Sequence, residues 1–205
     1  MTTRLPFFLM AVLSGLVALG SWRFLGLGFD LSFPGFEDHL EARRMVFALH
    51  VTLAPVALVA GVLQFMPKLR ARRPVLHRWT GRLYALCVLV SGVAGFWLGL
   101  FAPGGWVPGL GFMILAVLWI GTTAKAVYHA RRREFAQHRV WMIRSFALTL
   151  AGVTLRIYLA GYMLNGVSYV DASPVLAWIC WVPNALIAEW WLARDRRHPA
   201  VPTGR

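Results

Sequence analysis

Six apolar runs, near residues 6–28, 45–66, 80–102, 109–128, 141–164 and 174–193, alternate with short polar or basic stretches along the chain. Each is close to the roughly 20 residues that an α-helix, rising about 1.5 Å per residue, needs to cross a hydrocarbon core. Within a bilayer the backbone must satisfy its own hydrogen bonds, which favours helices for runs of this length. The pattern therefore predicts an all-α integral membrane bundle of about six transmembrane helices, built as one domain over residues 1–205. Pro55 is expected to bend span two, because it removes a backbone donor. Pro74 suits the first turn of span three. The connection Ala102-Pro103-Gly104-Gly105-Trp106-Val107-Pro108 is rich in turn formers, so spans three and four form an antiparallel pair. Ser91, Gly92, Gly95 and Gly99 offer a neighbouring helix a close approach along span three.

A weak internal echo organises the middle of the chain. His77 to Gly92 reads HRWTGRLYALCVLVSG, and His138 to Gly152 reads HRVWMIRSFALTLAG. With one residue inserted after Arg139, Trp79 falls on Trp141, Arg82 on Arg144 and Tyr84 on Phe146. Each stretch also follows an apolar helix and a short basic run. The expectation is one helical hairpin written twice, about 45–102 and 109–164, with spans two to five as a pseudo-symmetric four-helix core.

Composition and charge narrow the setting. The chain has 205 residues, of which 59% are hydrophobic and 14% charged, with a mean hydropathy of +0.61, outside the range of an ordinary soluble domain. A net charge of +13 in a soluble protein points to nucleic acid; here the charges segregate by side instead. Arg4, the cluster from Lys68 to Arg82, the cluster from Lys125 to Arg144 and the tail from Arg194 to Arg205 fall on one side of a six-span arrangement. Asp30, Glu37, Asp38, Glu41 and Asp171 fall on the other. The positive-inside rule then puts both termini in the cytoplasm. The lipid bilayer and its anionic headgroups are the partners that follow, and nucleic acid is not one. Ala18-Leu19-Gly20 is a passable signal-peptidase site, but the apolar run continues past it, so the first span is read as uncleaved. Cys87 and Cys180 fall in different halves of the bilayer and are not expected to pair.

The candidate chemistry is sparse. No Gly-rich phosphate loop, Cys-x-x-Cys, His-Glu-x-x-His or serine nucleophile motif is present. His77 and His138 occupy equivalent repeat positions near the cytoplasmic surface. There two neutral imidazoles can ligate the iron of a b-type haem, serving electron transfer with a quinone or a partner subunit. Arg78, Arg82, Arg139 and Arg144 would supply cations for its propionates, and Trp79, Tyr84, Trp141 and Phe146 its walls. Two other readings stay open for the same residues: contact with lipid headgroups, and a site for an anionic or quinone-like ligand. His129 rivals either histidine as a ligand. Counted back by the repeat interval, His50 pairs with Gly111, so an outer histidine pair is missing; Met113 and Met163 are its substitutes.

Intramembrane polar residues are functional hypotheses by default. They are His50, Gln64, Arg156, Asn184 and Glu189. Arg156 falls in the outer half at a depth near that of His50, and Glu189 falls in the inner quarter facing Arg82 or Arg144. If they line a path, the protein binds or transports an anionic lipid or small molecule without redox chemistry, and a polar cavity should reach mid-bilayer. An accessory subunit of a larger complex would instead show a wide apolar face. The loop from Asp30 to Arg44, with Phe33, Phe36 and His39, lies at the interface or covers an outer-side site.

Several of these residues carry a resemblance. Gly61 with Gln64-Phe65, Leu76-His77-Arg78-Trp79 with Gly81-Arg82-Leu83-Tyr84, and His138-Arg139 with Trp141-Met142-Ile143-Arg144-Ser145 resemble the predicted bacterial membrane proteins of domain-of-unknown-function family 2306. Ser91-Gly92, Gly111-Phe112, Trp119, Arg156-Ile157-Tyr158 and Trp181-Val182-Pro183-Asn184 followed by Glu189 extend it to residues 45 to 192. The resemblance implies a multi-pass architecture in the inner (cytoplasmic) membrane of a bacterium. The layout is also similar to that of four-helix haem-b proteins such as the cytochrome b561 group. Those use two histidine pairs on four consecutive helices, whereas this chain offers one clear pair.

Overall fold

The computed structural model describes residues 4–33 and 36–197. The side chains of Arg4, Arg196 and Arg197, and Arg205 of the basic tail, lie outside that description. Ten helices are present among the described residues: α1 (Arg4–Ser21), α2 (Phe24–Ser32), α3 (Glu37–Gln64), α4 (Pro67–Arg72), α5 (Pro74–Gly99), α6 (Trp106–Arg131), α7 (Phe135–Thr149), α8 (Ala151–Leu164), α9 (Tyr169–Ile179) and α10 (Val182–Arg197). Five helical stretches are long and apolar enough to cross a membrane, with α7–α8 and α9–α10 each acting as one span; a sixth counts if α1 and α2 are taken together. The basic clusters gather at one end of the bundle, here named the basic end.

The first span departs from expectation. The sequence places one run over 6–28, but the helix stops at Ser21 and α2 turns away by 73°. Gly28 then takes φ +76°, a left-handed conformation that glycine adopts without the Cβ penalty of other residues. Arg23 fastens the corner by donating to the Gly20 carbonyl at 2.8 Å and to the Ser32 carbonyl. Helix α3 runs through Pro55, and the residue of α3 with non-helical angles is Arg43. The Trp22 indole donates to the Thr52 carbonyl at 3.1 Å, so the corner between α1 and α2 supplies a donor beside the turn that the proline weakens. Pro74 opens α5 at its first turn.

Helices α3, α5, α6 and α7 pack in that order, and α3 meets α7 to close the ring. Helix α1 lies against α3 and α8; α9 and α10 cover α6, α7 and α8. Small residues set the close contacts. A methyl added at Gly92 would lie 2.7 Å from Ile120, and one at Gly109 would lie 2.7 Å from the Gly99 carbonyl. Tyr84 and Phe146, which the sequence echo aligns, converge on Gly61 of α3. The turn between α5 and α6 uses Gly104 and Gly105, both with φ above +90°, and Ser173 of α9 donates to the Pro103 carbonyl at 2.8 Å.

Candidate binding cavity

The half of the bundle away from the basic end encloses a cavity of about 620 Å³, within the range of small-molecule sites. Leu58, Leu148, Leu155 and Phe112 give it apolar walls; Phe33, Phe36 and His39 lie at its roof; Trp119 and Thr149 lie at its floor. The roof is an aromatic cluster in which Phe33 meets Phe47 edge-on at 5.0 Å and Phe36 meets Tyr169 at 4.7 Å. Thus the described part of the segment from Asp30 to Arg44 covers the cavity with Phe33, Phe36 and His39. It is tied down by Arg23 over Phe33 and by Arg43 over Phe101 at 3.6 Å.

The cavity carries four basic side chains, Arg23, His39, His50 and Arg156. His50 of α3 has Nδ1 2.9 Å from the Ser91 carbonyl. A carbonyl only accepts, so Nδ1 carries a hydrogen and the neutral ring presents Nε2 as an acceptor. Gly95 makes room for it, since a methyl there would lie 3.0 Å from the imidazole. Arg156 of α8 donates through Nη1 to the Gly152 carbonyl at 3.0 Å, which leaves the rest of its donor fork for another partner. Among the described residues the ion pairs are His129–Glu134, Arg132–Glu134, Arg139–Asp195 and Arg144–Glu189, and Arg156 is in none of them. Among the described residues no Asp or Glu lines the cavity. Arg23 also lines it, close enough to Arg156 for the two charges to repel. His39 is buried with Nδ1 unbonded, and so is the Ser32 hydroxyl.

The floor is saturated. Tyr84 Oη lies 2.6 Å from Ser145 Oγ and 2.7 Å from Thr149 Oγ1; Trp119 donates to Thr149 Oγ1 at 2.8 Å, and Thr123 Oγ1 lies 2.6 Å from Ser145 Oγ. Each hydroxyl carries one hydrogen. Thr123 lies 2.8 Å from the Trp119 carbonyl and Thr149 lies 3.0 Å from that of Ser145. With those two hydrogens spent, Ser145 donates to Thr123 and Tyr84 donates into the Ser145–Thr149 pair. These contacts join α5, α6 and α7 and leave no spare donor for a ligand.

The residues picked from sequence at the basic end are placed more loosely. His138 Nδ1 donates to the Ala126 carbonyl at 2.8 Å, so its Nε2 is the open nitrogen. His77 has a buried, unbonded Nδ1, and the two imidazoles are close enough to interact electrostatically. The surrounding set does not converge on them. Trp79 is 61% exposed and is covered by Arg82; Arg78 is exposed. Tyr84 and Phe146 are buried in the core. Arg144 is held by Glu189 through bonds of 2.6 and 2.9 Å and stacks on Trp141; Arg139 pairs with Asp195 at 2.7 Å. His129 is bound to Glu134 at 2.6 Å. That hydrogen bond, with one from Arg132, holds the Glu134 carboxyl below its ordinary range. Gln64 donates to Thr80 Oγ1 at 2.7 Å and clamps the end of α3 to the start of α5. Asn184 donates to the Cys180 carbonyl at 3.1 Å and to Thr154 at 3.2 Å, closing the break between α9 and α10. Cys87 and Cys180 are free and buried.

No curated protein and no solved structure matches the chain. A family model described as a predicted membrane protein, DUF2306, matches residues 47–192, which include every span of the closed four-helix ring and most of the cavity wall. The chain therefore belongs to the DUF2306 family of predicted membrane proteins.

Proposed function

We propose that this protein binds an anionic amphiphile in the cavity, as a binding or transport protein without redox chemistry. The observation that carries this reading is Arg156, a cation inside an apolar cavity with no carboxylate partner. An unpaired charge away from water costs several kcal/mol or relocates its proton, so natural membrane proteins pair it or use it. Arg23 adds positive potential at the same cavity, and no acidic group offsets it. A carboxylate or phosphate meeting the guanidinium gains two parallel charge-assisted hydrogen bonds in a low-dielectric site. His50 Nε2 accepts from a hydroxyl or a protonated acid beside it. Cations are repelled. The orientation that follows puts the basic loops and both termini in the cytoplasm and opens the cavity toward the outer leaflet of the inner membrane.

The test is thermal unfolding of the purified protein in nanodiscs, with and without an anionic amphiphile, for wild type and Arg156→Gln. Ligand present at about 100 times its Kd stabilises the folded state by about 2.7 kcal/mol. The variant is expected to lose that response. Without ligand it should be more stable than wild type, since it no longer buries an unpaired charge. Equal stabilisation of both proteins by the anion overturns the reading, and so does stronger stabilisation by a cationic analogue.

The second reading is a haem b on His77 and His138, passing electrons to a quinone or a partner subunit. The favouring observation is His138, whose Nδ1–H donates to the Ala126 carbonyl and so frees Nε2, the arrangement common in metal-bound imidazoles. The outward Trp79 and the paired Arg139 and Arg144 do not fit a haem slot, which ranks this reading second.

A further inference from the structure

Resting on the anion-binding reading above, we infer that the occupant is a single-chain lipid anion that enters sideways from the bilayer between α1 and α8. Three observations lead there. First, the cavity wall is mainly apolar, its polar groups being the basic side chains, the saturated floor and a few hydroxyls such as those of Ser32 and Ser91, so the ligand needs a hydrophobic body as well as an acidic head. Second, a cavity of about 620 Å³ lies in the roughly 300–1,000 Å³ range of sites that bury most of a drug-sized ligand. A long-chain fatty acid is of that size, and a two-chain phospholipid is far larger.

Third, the exposed residues of the lining mark a mouth. Leu13 and Leu16 of α1 are 40% and 61% exposed, and Met163 of α8 is 57% exposed. Gly20 and Arg23 are the other exposed lining residues, at the end of α1 and at its corner with α2. Every exposed lining residue therefore lies on α1, on its corner or on α8; those of α3, α5 and α6 are buried or half-buried. Over the roof, the aromatic cluster shuts the direct path from the aqueous side. An acyl chain sliding between α1 and α8 keeps its tail in hydrocarbon throughout, and its carboxylate passes Arg23 before it reaches Arg156. Such a path avoids carrying an apolar chain through water.

Gly20 supplies a plug. Nothing lies within 4 Å of a Cβ built there, so Gly20→Trp places a bulky ring at this exposed lining position with little disturbance of the backbone.

The experiment is equilibrium binding of radiolabelled palmitate to the full chain in phosphatidylcholine nanodiscs, with unlabelled competitors. Saturable binding near one per chain is expected, weakened at least tenfold by Arg156→Gln. Hexadecanol should compete at least tenfold less well than palmitate. Dioleoyl phosphatidic acid and acetate should compete poorly. Gly20→Trp should slow palmitate association at least fivefold. If dioleoyl phosphatidic acid competes as well as palmitate, the single-chain assignment fails while the anion site stands. If acetate competes equally, the lipid assignment fails and the anion site stands. Unchanged association in Gly20→Trp refutes the lateral mouth. Saturable palmitate binding that survives Arg156→Gln, or no saturable binding of any of the three anions to wild type, refutes the anion site and this inference together.

Discussion

Gly61 offers a quantitative check on the packing beneath the cavity. It lies on α3 where Tyr84 of α5 and Phe146 of α7 meet, and a methyl added there would lie 2.5 Å from the Phe146 ring and 3.1 Å from that of Tyr84. Carbon atoms at their best separation are about 3.5–4.0 Å apart, so the Phe146 ring must retreat by about 1 Å or more. It has little freedom to do so. Phe146 is 4% exposed and Phe65 lies 5.1 Å from it, ring centre to ring centre, while Tyr84 is fixed by its bonds to Ser145 and Thr149. Overpacking of this kind costs about 1–3 kcal/mol. Gly61→Ala should fall near 2 kcal/mol, lowering Tm by about 4–8 °C for a chain of this size. The assay is thermal unfolding in detergent, followed by near-ultraviolet circular dichroism. Phe146→Leu removes ring atoms that the methyl strikes, so the double variant Gly61→Ala/Phe146→Leu should be more stable than the sum of the two single losses by about 1 kcal/mol. A Gly61→Ala Tm within 1 °C of wild type, or strict additivity in the double variant, refutes the packing argument.

Two further outcomes follow from the basic end. Arg144 and Glu189 are joined by two hydrogen bonds but are 24% and 48% exposed, so screening limits their worth. Arg144→Leu should cost about 1 kcal/mol and Arg144→Leu/Glu189→Leu should recover most of it, read by thermal unfolding at low and high salt; equal loss in single and double variants contradicts the pair. A reduced-minus-oxidised visible spectrum of wild type from haem-replete cells should be featureless if the anion reading holds; a haem-b band lost in both His77→Ala and His138→Ala reverses the order of the two readings.

What the sequence could and could not reveal divides along physical lines. Span positions follow from apolar length, a local property, and the five long spans fall where the hydropathy places them. Glu189 meeting Arg144 was legible because counting rise per residue from a boundary gives depth. The corner after Ser21 was not, because Phe24, Leu25 and Leu27 continue the apolar run, and a window of hydropathy does not distinguish a turned helix from a straight one. Arg23 was overlooked as a functional residue for the same reason: its role depends on that corner. The cavity itself depends on which faces of five helices meet, and no one-dimensional signal carries that. The Tyr84, Ser145 and Thr149 contacts lay closer to reach. Ser145 and Thr149 are four apart on one face of α7, in the segment that echoes the one containing Tyr84.

The two ends of the molecule treat their cations differently, and the contrast bears directly on function. At the basic end the arginines facing other helices are neutralised in place: Arg144 by Glu189, and Arg139 by Asp195. Others lie over aromatic rings, as Arg82 does on Trp79 and Arg194 on Trp190. Those charges hold helices together and set orientation, which is sufficient reason for them. At the other end the bundle has acidic residues on its surface but brings none to the cavity. If Arg156 served only to brace α8, an aspartate or glutamate on α3 or α5 would satisfy it at lower cost. Instead the cavity that it lines is walled on α3 and α5 by His50, Ser91 and Gly95 among apolar residues, and by no carboxylate among the described residues. On the proposed reading, the negative charge that the described residues do not bring to the cavity comes from a ligand, and the largely apolar wall makes that ligand an amphiphile.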